Sequence, residues 1–365
     1  MANLSSIPIL KLPYLALMEA LKSMEHFELF SLSLISNRAQ SIVASLNLKP
    51  KELQMNVDSY EGIQIVAIFP NKEQLKLSFK LDQNDDEKLK NPCEVLVEYN
   101  YSKENGGFRY QREEWTKDGY GLRTWLDHLL TVLGQENKIN EIRFENIQGD
   151  EEDEEPVDIE KFRETMNGLE TPLLCIGDCS IEKSMEILRS FLPAKNLYLN
   201  DNPYKDLEDD EEFWRFLNQE FDVLYFGGDD GWPQLTPERL GNLNSRYVTM
   251  YDTRCTEDQL NAFLKLWVAH STAGAKLEHL NLYYPISPAL LDQENVLRGL
   301  PYTVQEGERT FKKNCETWNE KNEVVIKDGF DIRRDDGILG TVFIETIRLG
   351  YDDHERTRFG FFVWN

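Results

Sequence analysis

The sequence predicts a mixed chain, α+β grading into α/β. It has three parts: a small N-terminal bundle of three helices, a run of strand hairpins ended by an amphipathic helix, and a short curved strand–helix solenoid. Three observations predict it. Apolar residues keep helical spacing up to about residue 46, and beyond Pro50 they group into short strand-like runs. From residue 139 onward, apolar-x-apolar segments recur at spacings of about 23 to 32 residues.

In the first part, Pro13 suits the first turn of a helix, where its missing N–H would have had no partner. Leu17, Leu21 and Met24 continue from it as a helical stripe. A second short helix is expected around Glu28–Ile35 and a third around Asn37–Leu46, with Ile42, Val43 and Leu46 on one side. A unit of roughly forty residues buries too little surface to be stable alone. It nevertheless holds Leu10, Leu12, Leu15, Leu17, Leu29, Phe30, Leu32, Leu34 and Ile35, more large apolar side chains than its own core can hide. Such a surplus predicts docking onto another surface. The plainer alternative is a helical cap on the domain that follows.

The second part begins after Pro50. The runs 63–69 (IQIVAIF) and 75–79 (LKLSF) flank Pro70-Asn71-Lys72-Glu73 and read as a hairpin. Glu94–Tyr101 is another strand, and a Gly106-Gly107 turn leads from it to Phe108–Trp115. Gly119–Leu133 reads as a helix, because Leu122, Trp125, Leu126, Leu129, Leu130 and Leu133 keep one face apolar. His128 beside Asp127 on that helix is expected to be a packing or surface residue.

The third part carries the repeat: Ile142/Phe144, Leu174/Ile176, Leu197/Leu199, Leu224/Phe226, Val248/Met250 and Leu280/Leu282. Cys179 and Asn202 stand where a leucine-rich repeat places Asn or Cys, and Leu277, Leu280 and Leu282 keep its leading leucines. Helix signals lie between the segments. Thr256 and Gln259 have capping-box spacing, Ser180 precedes a helix over 181–192, and Thr236-Pro237 opens another. Strand–helix alternation implies parallel strands with right-handed crossovers. At the C-terminal end, Asp335-Asp336-Gly337 reads as a hairpin turn, since Gly accepts the positive φ such turns require.

Composition narrows the function. A formal net charge of −25 opposes nucleic acid as a main partner, because phosphate would be repelled and its counterions retained. It also weakly opposes anionic membranes, and no apolar run approaches the ~20 residues that span a bilayer. Five scattered cysteines and the lack of a secretory-type leader predict a reduced intracellular protein, cytoplasmic or nuclear. No hydrolase elbow, phosphate-binding loop, dinucleotide fingerprint or zinc-protease motif occurs, and no His pairs with Cys at zinc spacing. No catalytic residue, metal or cofactor is expected. The acidic runs Gly149–Glu155 and Glu208–Glu212 read as solvated loops.

Leu12-Pro13, the Leu17/Leu21/Met24 spacing, the Phe27–Leu32–Ser33 region and Ile35-Ser36-Asn37-Arg38 resemble an F-box. That resemblance implies docking on a Skp1-like protein and through it on a cullin. It places Leu12, Pro13, Leu17, Leu29, Leu32, Ser33, Ser36 and Arg38 at or under the Skp1 contact. Many F-boxes have a Trp shortly after the Arg; here the residues are Ala39-Gln40, similar to the Ser-x-Arg-Ala of nematode forms. The Thr256–Trp267 helix, the Gly329–Gly337 segment and the terminal Phe361-Phe362-Val363-Trp364 resemble the nematode F-box-associated region. The implied division is F-box over 5–50, linking hairpins and helix over 51–135, and an F-box-associated, leucine-rich-repeat-like domain over 136–365. The implied function is the substrate-recognition adaptor of a Skp1-cullin-F-box ubiquitin ligase; the alternative is a Skp1-bound scaffold with no ubiquitination target.

If the repeats form a solenoid, alternate strand residues face its open side. At the central position these are Arg143, Cys175, Tyr198, Tyr225, Thr249 and Asn281; two residues on they are Glu145, Gly177, Asn200, Gly227, Tyr251 and Tyr283. Tyr198, Tyr225, Tyr251, Asn281 and Tyr283 are thus the candidate contacts for an unknown protein substrate, since Tyr offers large area with a polar tip. The face stays open only if the N-terminal hairpins and C-terminal strands leave it bare.

Overall fold

The computed structural model describes residues 9–80, 94–102, 108–147, 157–203, 211–228, 232, 235–269, 274–284, 291–313, 323–348 and 355–364. The chain divides into two compact units, Met1–Pro172 and Leu173–Asn365.

In the first unit, α1 (Tyr14–Lys22) starts directly after Pro13. Helix α2 (His26–Ser33) begins two residues before the predicted start, because Glu25 and Glu28 form a capping box. The Glu25 N–H donates to Glu28 Oε2 at 3.0 Å. Helix α3 (Asn37–Ala44) is capped by Ser36, whose hydroxyl accepts from the Ala39 N–H at 3.2 Å. Five antiparallel-linked strands follow: β1 (Glu52–Asp58), β2 (Gly62–Ile68), β3 (Gln74–Phe79), β4 (Val95–Ser102) and β5 (Phe108–Trp115). The predicted hairpin over 63–79 is β2–β3, and its Pro70–Glu73 turn lies between them. Gly106-Gly107 falls outside the described residues. Helix α4 (Leu122–Leu133) buries the whole predicted stripe and ends at Gly134, whose φ of +63 only glycine adopts without strain.

Strand β6 (Glu141–Glu145) carries the first predicted repeat, Ile142/Phe144, but it runs parallel to β1, and α5 (Ile159–Thr165) follows it within the first unit. The reason is β1, which the sequence reading passed over. Its Leu53, Met55 and Val57 alternate inward and are fully buried, giving β6 a neighbour. The two compact units divide at 172/173, so β6 and α5 belong to the first of them.

Helix α2 packs on this sheet and on α4, and α3 packs on α2 and α4. Phe27 meets Trp115 and Tyr99 at ring distances of 5.1 and 6.1 Å, and Phe30 meets Trp125 at 6.5 Å. His26 stacks on Phe69 at 3.7 Å and pairs with the Glu73 carboxylate, joining α2 to the β2–β3 turn.

The second unit alternates strand and helix: β7 (Leu173–Gly177), α6 (Ile181–Phe191), β8 (Asn196–Leu199), α7 (Glu211–Leu217), β9 (Phe221–Phe226), α8 (Pro237–Asn242), β10 (Ser245–Met250), α9 (Glu257–Val268), β11 (His279–Tyr283). The five strands are parallel neighbours in sequence order. The predicted caps are present: Ser180, Thr236 and Thr256 each accept a backbone N–H, Thr256 with a complete capping box. Leu174, Ile176, Leu197, Leu199, Leu224, Phe226, Val248, Met250, Leu280 and Leu282 are all buried. Asn202 is buried too, and the Cys179 thiol donates to the Gly177 carbonyl at 3.2 Å.

After α10 (Gln293–Val296) the chain becomes antiparallel. It adds β12 (Tyr302–Val304), the separate hairpin β13 (Glu308–Lys312) and β14 (Glu323–Lys327), then β15 (Phe330–Arg333), β16 (Leu339–Arg348) and β17 (Glu355–Trp364). β17 pairs with β11, and β16, β15 and β12 follow outward. The predicted turn at Asp335-Asp336-Gly337 joins β15 to β16, with Gly337 at a φ of +96. No helix among the described residues is long and apolar enough to cross a membrane.

Candidate functional site

The N-terminal helices sort the candidate Skp1 contacts into two groups. Leu17, Leu29, Leu32 and Ser33 are buried within the chain, whereas Leu12 is half-buried and Pro13, Ser36 and Arg38 are exposed. Ser33 is an interior anchor: its hydroxyl donates to the Phe30 carbonyl at 2.6 Å and lies 2.8 Å from His128 Nε2. With the one hydroxyl hydrogen committed to Phe30, His128 Nε2–H must donate, which fixes the neutral tautomer. Burial pushes the His128 pKa down to about 4, with a smaller push from the Lys117 ammonium, so the ring stays uncharged at neutral pH. His128 is thus a satisfied packing residue.

The apolar surplus is smaller than the sequence implied, because Leu17, Leu29, Phe30 and Leu32 face the chain's own core. What remains in water is Tyr14 (67% exposed), Leu15 (79%) and Ile35 (70%), with Pro13 exposed beside the first two. Tyr14 was missed and Leu15 and Ile35 were counted only as surplus. Leu15 stands off the Leu17/Leu21/Met24 stripe, and that offset was the available signal. Single exposed apolar residues are ordinary, but Tyr14 and Leu15 beside an exposed proline at the start of α1, with Ile35 just after α2, are apolar positions suited to docking.

Comparison with known families agrees with this N-terminal geometry. Residues 9–51 match the F-box domain. Residues 212–282, from α7 through β11, match the F-box associated family. The chain carries an F-box and an F-box-associated domain. No curated protein and no solved structure matches it.

In the second unit, Cys175, Tyr198, Tyr225, Thr249 and Asn281 lie side by side across β7 to β11, as the repeat predicted. Of the two alternatives for this face, open or covered, the structure has it covered over most of its length. Cys175, Tyr198, Thr249, Asn281 and Tyr283 are buried, and Tyr225 and Tyr251 are half-buried. The cover is the C-terminal strands. Phe311 of β13 and Ile326 of β14 form one apolar cluster with Leu173, Cys175, Tyr198, Val223, Tyr247, Phe343 and Phe362. Arg309 helps hold the hairpin there: it pairs with Asp331, donates to Thr341 Oγ1 at 3.0 Å and lies over the Trp364 ring at 4.9 Å. No periodicity could reveal this, since the covering hairpin follows the strands it covers in the chain and belongs to no repeat.

The tyrosines form a stack. Ring distances are 4.9 Å for Tyr198–Tyr225, 5.6 Å for Tyr225–Tyr251 and 4.3 Å for Tyr251–Tyr283. Burial raises the pKa values of Tyr251 and Tyr283 to about 12, and each hydroxyl is hydrogen-bonded to a neighbour in the stack. Arg358 closes the row, donating to Asn281 Oδ1 at 3.1 Å and to Glu345 at 2.9 Å. Of the nearby cysteines, Cys255 is buried and its thiol is pushed up to about 12, so it is not a thiolate at neutral pH. Among the described residues no group of three or more His, Cys, Asp or Glu is placed to hold a metal ion. Within the two acidic runs, Gly149–Glu155 and residues 208–210 lie outside the described residues; Glu212 opens α7 and pairs with Arg189 at 2.9 Å.

Proposed function

We propose that the protein is a substrate-recognition adaptor of a Skp1-cullin-F-box type ubiquitin ligase. The observation that carries this reading is the F-box at residues 9–51 with Tyr14, Leu15 and Ile35 left in water beside Pro13. Among the described residues nothing buries these apolar side chains, which suits them to a partner. An F-box-associated domain in the same chain supports the second part of the reading, a domain that binds a protein target. The finer architecture, a leucine-rich-repeat-like array, is supported by five in-register parallel strands joined by helices and by the inward Asn202. The proposed Skp1 contact is an exposed rim of Leu12, Pro13, Tyr14, Leu15, Ile35, Ser36 and Arg38 over an inner layer of Leu17, Leu29, Leu32 and Ser33. An intracellular location, cytoplasmic or nuclear, goes with this role.

Reconstitution tests it. The purified chain, a Skp1-like protein, a cullin module and ubiquitin-transfer enzymes are combined with candidate partners recovered by affinity purification under proteasome blockade. The expected result is ubiquitin transfer to a partner that depends on the chain. Skp1 binding with no partner modified, and no partner accumulating when the protein is depleted, would favour a Skp1-bound scaffold.

A further inference from the structure

The β13–β14 hairpin covers the strand face without belonging to the main sheet. Its two strands pair with each other as a separate two-stranded sheet. A two-stranded hairpin is marginal by itself, so side-chain contacts must hold it down. Phe311 and Ile326 are buried against the strands and Val324 is half-buried beside them, whereas Thr310 and Val325, paired across the hairpin, face water. The base is narrow. The Asp328 N–H donates to the Gly307 carbonyl at 3.4 Å and the Gln305 N–H to the Gly329 carbonyl at 2.8 Å. Gly307, at a φ of +89, has open space where a Cβ would stand, so the chain enters the hairpin with nothing packed on that side.

Beneath the hairpin the polar match is poor. His279 is fully buried, stacked on Phe362 at 4.2 Å and 5.8 Å from Phe311, and neither ring nitrogen has a hydrogen-bond partner among the described residues. Asn281, two residues on, gives its Oδ1 to Arg358. Burial, with smaller pushes from Lys313 and Arg358, holds the His279 pKa well below its ordinary value, so the neutral ring carries one donor and one acceptor. On the same face Asn196 Oδ1 and Ser245 Oγ, two residues before Tyr198 and Tyr247, are buried without a partner, as is Arg309 Nε of the hairpin. Each such atom weakens the closed state, because lifting the cover returns it to water. A few apolar side chains and Arg309 thus hold the hairpin against unpaired polar groups beneath it. Elements held in this way open locally before the rest of the unit unfolds.

We propose that the β13–β14 hairpin is a displaceable strap, which swings off the strand face about its base while the five parallel strands and their helices stay folded. Its release uncovers Cys175, Tyr198, Tyr247 and His279. The adaptor reading enters only in the consequence, that a protein target reaches this face while the strap is off.

Two native thiols test it. Cys175 lies in the cluster under the strap, and Cys255 is buried in the same unit with its thiol 3.8 Å from the Leu235 carbonyl. The full chain is treated with N-ethylmaleimide at neutral pH over a range of low denaturant concentrations. Peptide mass spectrometry follows both thiols, each rate divided by that of the same thiol in the unfolded chain. Cys175 is expected to react at least about 100-fold faster than Cys255, with a shallower dependence on denaturant. Phe311→Ala should speed Cys175 about 100-fold, and the milder Arg309→Ala about tenfold. Thr256→Ala loosens α9 and leaves the strap alone, so it should not change the Cys175 rate, because α9 stays folded in the opened form. Equal rates and slopes for the two thiols, no reaction of Cys175 short of global unfolding, indifference to Arg309→Ala, or acceleration by Thr256→Ala would overturn the strap. Skp1 binding measured on the same samples keeps the two readings apart. A chain that binds Skp1 without opening overturns the strap alone, and one that opens without binding Skp1 overturns the adaptor alone.

Discussion

In the N-terminal helices Tyr14, Leu15 and Ile35 stand in water, whereas on the strand face of the second unit Leu173, Cys175 and Val223 lie under Phe311 and Ile326 of the chain's own hairpin. Both regions began as apolar surpluses in the sequence. The difference lies in what the rest of the chain provides. Helix α2 packs its Phe27 and Phe30 on the sheet and α4, while Tyr14, Leu15 and Ile35 stay bare among the described residues. The strand face has a downstream hairpin long enough to lie across it. The first region is therefore left bare and apolar, while the second is covered by the chain itself.

Substitutions can break this contrast. The largest expected effect is Phe30→Ala, which should destabilise the first unit by about 3–5 kcal/mol in denaturant unfolding. Leu15→Ala should stay within about 0.5 kcal/mol. Similar costs for the two would mean that the division into inner and outer residues is wrong. Next, Phe311→Ala should cost about 3 kcal/mol and raise binding of a hydrophobic dye as the strand face is uncovered. An unchanged dye signal would show that the hairpin is not the cover.

A smaller effect follows from His128. Its folded pKa lies near 4, below the unfolded value of about 6.5, so the unfolded chain takes up the proton first. Stability is complete above pH ~6.5, falls as pH drops toward 4, and loses nothing further below that from this group. The buried His279 is shifted in the same direction, so His128→Asn should flatten the slope without removing it. A pH profile identical to the parent's would refute the assignment. The smallest effect is Thr256→Ala, which removes the cap of α9 and should cost about 1 kcal/mol by thermal unfolding.

Much of this was legible in the residues. Helix caps at Ser180, Thr236 and Thr256, the α4 stripe and the Gly337 turn are local signals, and each is present where the sequence put it. The alternation of Leu53, Met55 and Val57 was equally local but was passed over, and β6 was consequently assigned to the repeat array. Burial of Phe30 and Ser33 was not legible, because it depends on Trp115 and His128 returning from distant parts of the chain. The same holds for the tyrosine face, whose cover is set by tertiary packing rather than by any period in the strands. One consequence is practical: Leu32→Asp would report on folding, so exposed positions must carry the docking test.

That test is the affinity of the purified chain for a Skp1-like protein, measured by calorimetry beside Leu15→Asp and Ile35→Asp variants that keep the parent's unfolding midpoint. The account predicts tight binding by the parent and a loss of about 100-fold or more in each variant, as expected when a charge is placed in the centre of an apolar interface. Parent-like affinity in both variants, with the fold intact, would contradict it.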